Sequence, residues 1–248
     1  ATRVEMPASV LLNGINRCLF ATANDEIRLV MNGIYVDIKP DCIIFAGTDG
    51  RKLVRNTNRT VQSGLTNGFI LQKKVSAILK AVLTKDEENI TIAFDNEKAT
   101  ITSADMVMHF RLIEGRYPNY NSVIPQSNPN QLTVDRLGLL AALRRVQPFA
   151  NDSSNLVRFH VEGSTFQLDA EDYDFSKTAT ERMTCEYNGT PMSIGFKGNA
   201  FIEILGNIEC SDVIIQLADS SRAGLVLPSE QPENQEVVML MMPMLIND

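Results

Sequence analysis

The chain has 248 residues, is 44% apolar and 21% charged, and carries a formal net charge of −7, a balance ordinary for a globular protein of one or two domains. No apolar run approaches the ~20 residues of a membrane helix, no signal-peptide pattern opens the chain, and an acidic chain is at first sight a poor general binder of nucleic acid. The four cysteines (Cys18, Cys42, Cys185, Cys210) lie far apart without a CxxC pair, so they read as small buried hydrophobes of a reducing cytoplasm.

In chain order, helical spacing of Val10, Leu11, Ile15 and Leu19 predicts a helix over residues 8–23, ending in Phe20-Ala-Thr-Ala-Asn-Asp25. Strands are expected over Arg28–Asn32 and Ile34–Ile38 about a turn at Gly33, and Thr48-Asp49-Gly50 before Arg51-Lys52-Leu53-Val54 is a hairpin signal. A short helix over Gln72–Leu83 and strands over Asn89–Phe94, Ala99–Thr102 and Met106–Ile113 complete the first half. Tyr117–Asn130 holds three prolines and no periodicity, which suits a linker.

The second half repeats the plan. A helix around Leu139, Leu140, Leu143 and Val146 spans 135–149 and ends in Phe149-Ala-Asn-Asp152. Strands Val157–Glu162 and Thr165–Ala170 flank Gly163, a helix covers Gly198–Ile208, and strands follow over Asp212–Leu217, Ala223–Leu227 and Glu236–Met242. Phe20 to Phe149 is 129 residues and Leu79 to Leu205 is 126, so the chain reads as one unit written twice. The fold class is α+β: two similar domains, 1–122 and 123–248, each with two helices packed on antiparallel sheets.

The chain closes on a methionine-rich segment, with four of the ten methionines between Met239 and Met244. Glu236–Met242 reads as a buried strand; beyond Pro243, which cannot donate to a ladder, Met244–Ile246 reads as surface. Adaptable methionines fit either a core plug or a contact surface. The charges are uneven as well: +1 over 8–23, +3 over 72–83, +2 over 135–149 and −1 over 197–209, so the helices are basic in an acidic chain. A plain solvated face explains such lysines equally well.

No catalytic motif emerges. His109 and His160 sit inside strand patterns away from any nucleophile motif, and GxSxG, P-loop, HExxH and GxGxxG are all missing. The carboxylate run Asp169-Ala-Glu-Asp-Tyr-Asp174 lacks the glycine and terminal glutamate of a calcium loop and reads as a solvated strand end. The expectation is a non-enzyme with no cofactor and no metal.

Several strings resemble one family. Asn32-Gly-Ile, Gly47-Thr-Asp-Gly-Arg-Lys-Leu53, Glu114-Gly-Arg-Tyr-Pro-Asn-Tyr120 and Val123-Ile-Pro125 are similar to the middle domain of the bacterial DNA polymerase III beta subunit, the sliding clamp. Met192-Ser-Ile-Gly-Phe196, Asp219-Ser-Ser221 and the closing Val-Met-Leu-Met-Met-Pro-Met resemble its C-terminal domain. The order covers nearly the whole chain. A clamp subunit has three such domains, and the motifs here match the second and third.

The resemblance implies a processivity factor: a head-to-tail ring, homodimeric as the full-length protein, with helices around duplex DNA and sheets outward. Sequence-neutral contacts by Lys and Arg permit sliding, and Arg17, Lys73, Lys74, Lys80, Arg136, Arg144 and Arg145 are the DNA-facing candidates. It also implies a hydrophobic pocket between the two domains for a short motif carried by the polymerase alpha subunit, the clamp loader and repair proteins. The matching positions are Met31, Thr48, Gly50, Arg51, Leu53 and Pro118, then Ser122 and Val123, then Leu240, Met241, Met242, Pro243 and Met244. Arg51 stands where histidine is common and Ser122 where arginine can sit. Lys197 and Ala200 replace a frequent Asn and Tyr, Leu245 replaces an Arg, and Asn247 and Asp248 extend the end. Pro148 and Phe149 fall at the ring contact, and without a first domain the expectation is a monomer or weak dimer. The competing expectation is a two-domain enzyme or small-ligand receptor using the same crevice.

Overall fold

The computed structural model describes residues 1–84 and 88–247; Asp248, expected to extend the end, lies outside the described residues. The chain forms two compact units. The first comprises Ala1–Asn121 together with Gln231–Val237, and the second comprises Ser122–Glu230 and the segment from Val238 onward.

The first unit runs β1 (Thr2–Pro7), α1 (Ala8–Cys18), β2 (Gly33–Ile38), β3 (Ile43–Thr48), β4 (Lys52–Asn58), β5 (Asn67–Gln72), α2 (Lys73–Val82), β6 (Asn89–Phe94), β7 (Lys98–Thr102) and β8 (Val107–Arg111). Its strands are ordered β1-β6-β7-β8 in one layer and β4-β3-β2-β5 in the other, with antiparallel pairing along both. The alternation of β6 buries Ile90, Ile92 and Phe94 on one face, as a strand covered on one side requires. Helix α1 buries Val10, Leu11, Ile15 and Cys18 against β3 and β4, and α2 packs on α1 and β5.

The second unit runs β9 (Asn130–Asp135), α3 (Arg136–Val146), β10 (Leu156–Glu162), β11 (Thr165–Asp172), β12 (Lys177–Thr184), β13 (Glu186–Tyr187), β14 (Met192–Lys197), α4 (Gly198–Gly206), β15 (Asp212–Leu217), β16 (Gly224–Pro228) and β17 (Gln235–Met241). Its orders are β12-β11-β10-β14 and β13-β9-β15-β16-β17. Apart from the two-residue β13, this is the strand order of the first unit. Helix α3 lies on β11 and β12, and α4 on α3 and β14. Phe159 is the centre of the core, its ring 4.9–5.4 Å from those of Phe166, Phe196 and Phe201 at steep angles, the edge-to-face arrangement that aromatic quadrupoles favour.

The repeat therefore exists as topology, but one part of the sequence reading needs correction. Leu29–Asn32, expected as a strand, is a 3-10 turn, and Gly33, expected as a turn, is extended at φ −138° as the first residue of β2. The counterparts of β10 and β11 are thus β2 and β3, one strand later than the sequence suggested. The reason is local. Asp25 Oδ1 accepts from the amides of Ile27 and Arg28 at 2.8 and 2.7 Å, and Asn32 clasps Asp25 through both its amide groups, giving the backbone an alternative to a ladder.

Segment Gln231–Val237 is held within the first unit by polar contacts. Arg55 Nη2 donates to Glu236 Oε1 at 2.8 Å, Arg17 Nη1 to Gln235 Oε1 at 3.3 Å, and Arg59 N to Asn234 O at 2.9 Å. The cysteines are free thiols; Cys18 and Cys42 are buried, whereas Cys185 and Cys210 are half-buried. Among the described residues no helix is long and apolar enough to cross a membrane.

Helix α1 meets β3 closely at Gly14, where a Cβ would sit inside the fully buried Phe45 ring. Helix propensity alone favours Ala over Gly by about 1 kcal/mol, whereas overpacking a filled core costs about 1–3 kcal/mol. Gly14→Ala is expected to lower the urea midpoint of unfolding, the packing cost outweighing the propensity gain.

Candidate functional site

The candidate pocket residues divide between the units, and each set has its own architecture. In the first unit two loops meet. The loop 25–32 is closed by Asp25, whose Oδ2 also takes Arg28 Nε and Nη2 at 3.1 and 3.0 Å. The amides of Arg28 and Ile27 and the Arg28 guanidinium hold the Asp25 carboxyl below its usual value. The β3–β4 turn is closed in the same way: Asp49 Oδ1 accepts from Arg51 N and Lys52 N at 2.8 and 2.9 Å, while Thr48 Oγ1 takes Gly50 N and donates to Lys52 O. Burial pushes the Asp49 carboxyl up, but the amides of Lys52 and Arg51 and the Lys52 ammonium together outweigh it and lower the value.

Gly50 has φ +88°, and a Cβ there would meet Arg28 Nη1 at 3.2 Å and Met31 Cε at 3.6 Å. The two loops are therefore in contact at Gly50. Met31, Thr48 and Leu53 are buried beneath them, and Gly50, Arg51 and Pro118 are exposed.

In the second unit, Ser122 and Val123 close a 3-10 turn and are exposed, Val123 at 55%. Strand β17 delivers Leu240 and Met241 into the core at 2% exposure, whereas Met242 is 42% exposed. Pro243 ends the strand and Met244 N donates to Gly195 O at 2.7 Å. The segment beyond crosses β14 at Gly195, where a Cβ would lie 2.6 Å from Ile246 Cγ2 and 3.0 Å from Met244 O. The expectation of a core strand followed by a surface segment after Pro243 matches this course. The part played by Gly195 was not read from the sequence; a glycine breaking the run Met192–Lys197 is its only signal. Lys197 and Ala200 are half-buried at the start of α4, and Leu245 is 88% exposed.

The seven DNA-facing candidates meet different fates. Lys74 and Lys80 on α2 and Arg144 on α3 are exposed. Arg17 is half-buried and donates to Asn56 Oδ1 at 2.9 Å. Lys73 donates to Asn24 Oδ1 at 2.7 Å, and partial burial followed by the neighbouring Lys52 lowers its pKa. Arg136 turns its guanidinium onto Leu205 O and Cys210 O at 2.9 and 2.8 Å, closing carbonyls at the end of α4, so it presents no free cation outward. Arg145 is exposed but chelated by Glu181. Pro148 and Phe149 are exposed on the 3-10 turn after α3, with Lys177 Nζ on Pro148 O at 3.2 Å.

Register brings one further group together. Ser193 on β14 faces His160 on β10, with Oγ 2.7 Å from Nδ1, and His160 Nε2 lies 3.4 Å from Glu162 Oε2. The sequence placed His160 away from any nucleophile. His160 lies on the same sheet face as Arg158 and Gln167. His109 meets only Thr100 Oγ1 at 2.8 Å. No cluster of three or more metal-ligating side chains occurs among the described residues.

The close passage of the tail over β14 is testable. Gly195→Ala is expected to lift residues 244–246 from the strand, raising amide exchange at Met244 by at least tenfold while the exchange of the core strands stays unchanged.

Comparison with known proteins bears on both units. Residues 5–119 match the family model for the DNA polymerase III beta subunit, central domain, and residues 121–245 that for its C-terminal domain. The beta sliding clamp of Synechococcus elongatus is 28% identical over 97% of this chain and that of Chlamydia pneumoniae 26% over 100%, the chain spanning 64% and 66% of their lengths. Among solved structures, the clamp of Pseudomonas aeruginosa bound to griselimycin superposes with a TM-score of 0.93 at 23% identity, covering 99% of this chain and 66% of that one. The clamp of Bartonella birtlesii bound to griselimycin gives 0.90 at 25% identity, covering 98% and 66%. The chain belongs to the DNA polymerase III beta subunit family, whose central and C-terminal domains its two halves match.

Proposed function

We propose that this chain serves as part of a DNA sliding clamp, a non-catalytic processivity factor that tethers the replicative polymerase, the clamp loader and other motif-bearing proteins to duplex DNA. The observation that carries the reading is the family match over both units at once. Processivity in this scheme comes from encirclement. Weak contacts to phosphate are sufficient and carry no register.

Lys74, Lys80 and Arg144 are the residues proposed to face DNA, with Lys73 beside them. Their exposure on helices of an acidic chain supports this role. Arg17 and Arg136 are bonded to neutral acceptors and keep their charge, whereas that of Arg145 is offset by Glu181. Pro148 and Phe149 are proposed to take part in the contact between clamp subunits. Charge reversal of Lys74, Lys80 and Arg144 together is expected to reduce the slope of log affinity for a short DNA duplex against log salt by about 2–3. A slope equal to that of the unaltered chain would reject these residues as phosphate contacts.

The partner motif is proposed to bind through residues of both units: Met31, Thr48, Gly50, Arg51, Leu53 and Pro118 from the first, and Ser122, Val123 and Leu240–Met244 from the second. Buried Met31, Leu53, Leu240 and Met241 give an apolar foundation, and exposed Met242 is the adaptable anchor for Leu or Phe side chains. Arg51 and Ser122 set the polar rim. A labelled Gln-x-x-Leu-Phe-type peptide is expected to bind in the micromolar range, and Met242→Ala to weaken it by about tenfold, ~1.4 kcal/mol. Griselimycin, bound in the P. aeruginosa and B. birtlesii clamps, is expected to compete. A peptide indifferent to both Met242→Ala and griselimycin would refute the site.

A further inference from the structure

The carboxylate run that the sequence reading set aside as a solvated strand end borders a groove of about 740 Å³ lying wholly within the second unit. Register fixes its geometry. Gly195 on β14 pairs with Arg158 on β10, Arg158 with Asp169 on β11, and Asp169 with Thr180 on β12. One row of partners thus crosses the sheet from the strand that carries the tail to the far edge. At roughly 4.8 Å per strand the row spans about 14 Å, the reach of about four extended residues.

The two ends of the row differ in chemistry. At the β14 end, Met244 N is bonded to Gly195 O, Ile246 packs on Gly195, and Leu245 between them is 88% exposed. A large apolar side chain is thus held in water by a fixed backbone. At the other end the β11–β12 turn carries Glu171 and Asp174, both exposed, and Tyr173 at 83% exposure. Asp172 alternates with buried Phe166, Leu168 and Ala170 and pairs with Lys177, so its carboxylate lies on the opposite, helix-covered face of the sheet at 2% exposure. Asp169 is already occupied by Thr180 Oγ1 and Gln167 Nε2. Across the groove, the carboxylates of Asp169, Glu171 and Asp174 stand against the single guanidinium of Arg158.

We infer that this groove receives the continuation of the partner peptide proposed to dock at Met242–Met244, and that the continuation is basic: an apolar side chain against Leu245 and Ile246, and about four residues away a Lys or Arg directed at Glu171 and Asp174. The inference rests on that docking reading. It is supported by continuity, since Leu245 follows Met244 directly, and by the charge of the far end. Motif-bearing partners are thereby sorted by what flanks their motif, those with basic flanks binding tighter than those with acidic ones.

The test compares three peptides with one Gln-x-x-Leu-Phe-type core by fluorescence anisotropy at low salt: the core alone, the core with a four-residue spacer and two lysines at either end, and the same extensions with glutamates. One lysine-extended peptide is expected to bind about three- to tenfold tighter than the core, and its glutamate counterpart more weakly than the core. In Glu171→Gln/Asp174→Asn, both surface substitutions, the ratio of extended to core affinity is expected to fall to about one. Equal affinities for core and lysine extensions would overturn the inference, and so would a gain that survives the double substitution, which marks general attraction to an acidic chain. If the core itself does not bind, the docking reading falls and this inference falls with it.

Discussion

The approach of a helix pair to two antiparallel sheets is the constraint on which the rest of either unit depends. In the first unit it is so close that the backbone of α1 rests on the ring of Phe45 and leaves no room for a Cβ at Gly14. A helix held at that distance buries Leu11 and Ile15 completely, and its remaining face is left for polar and charged groups. In the second unit α3 covers β11 and β12 as α1 covers β3 and β4. One-sided burial repeated in this way leaves each helix one face toward solvent, and Lys74, Lys80 and Arg144 lie there. Sequence periodicity shows half of that division. Strand order shows why it recurs.

Much of the fold was legible because it rests on local periodicity. All four helices lie where the 3.6-residue spacing put them, and β6, β10 and β15 follow a strict alternation of buried and exposed residues. Where the reading failed, side chains had displaced the backbone pattern. Leu29–Asn32 looks like a strand by composition, yet Asp25 takes the amides of Ile27 and Arg28 just before it, and Asn32 bonds back to Asp25, which closes the segment into a turn. Strand β12 was missed because its eight residues, Lys177–Thr184, are never fully buried, so no apolar stripe marks it. It is defined by pairing with β11 alone.

The basic residues show a different limit. Arg17, Lys74, Arg136, Arg144 and Arg145 all sit on predicted helices, and nothing in their immediate neighbours separates them. Their fates are decided at a distance: Arg17 by Asn56 and Gln235, Arg136 by Leu205 and Cys210, Arg145 by Glu181. A guanidinium has five donors in a fixed fork and finds partners readily. Lys74 and Lys80 on α2 and Arg144 on α3 are left facing water. Counting charge per helix therefore overstates how much of it is available to a ligand.

The position of the remaining cations carries its own argument. Lys73 and Lys74 open α2, with no acidic residue in its first turn, and the amino end of a helix carries partial positive charge. A cation there is disfavoured, and for Lys73 partial burial and the nearby Lys52 add to the cost, as its lowered pKa shows. Stability alone would place Asp or Glu at those positions. An arrangement that costs the isolated protein is relieved by an anion from outside, because unsatisfied helix amides and two ammonium groups attract the same ligand. A polyanion passing the helix faces supplies that anion wherever it stops, so the residues least suited to holding α2 together are those best suited to the proposed contact with DNA.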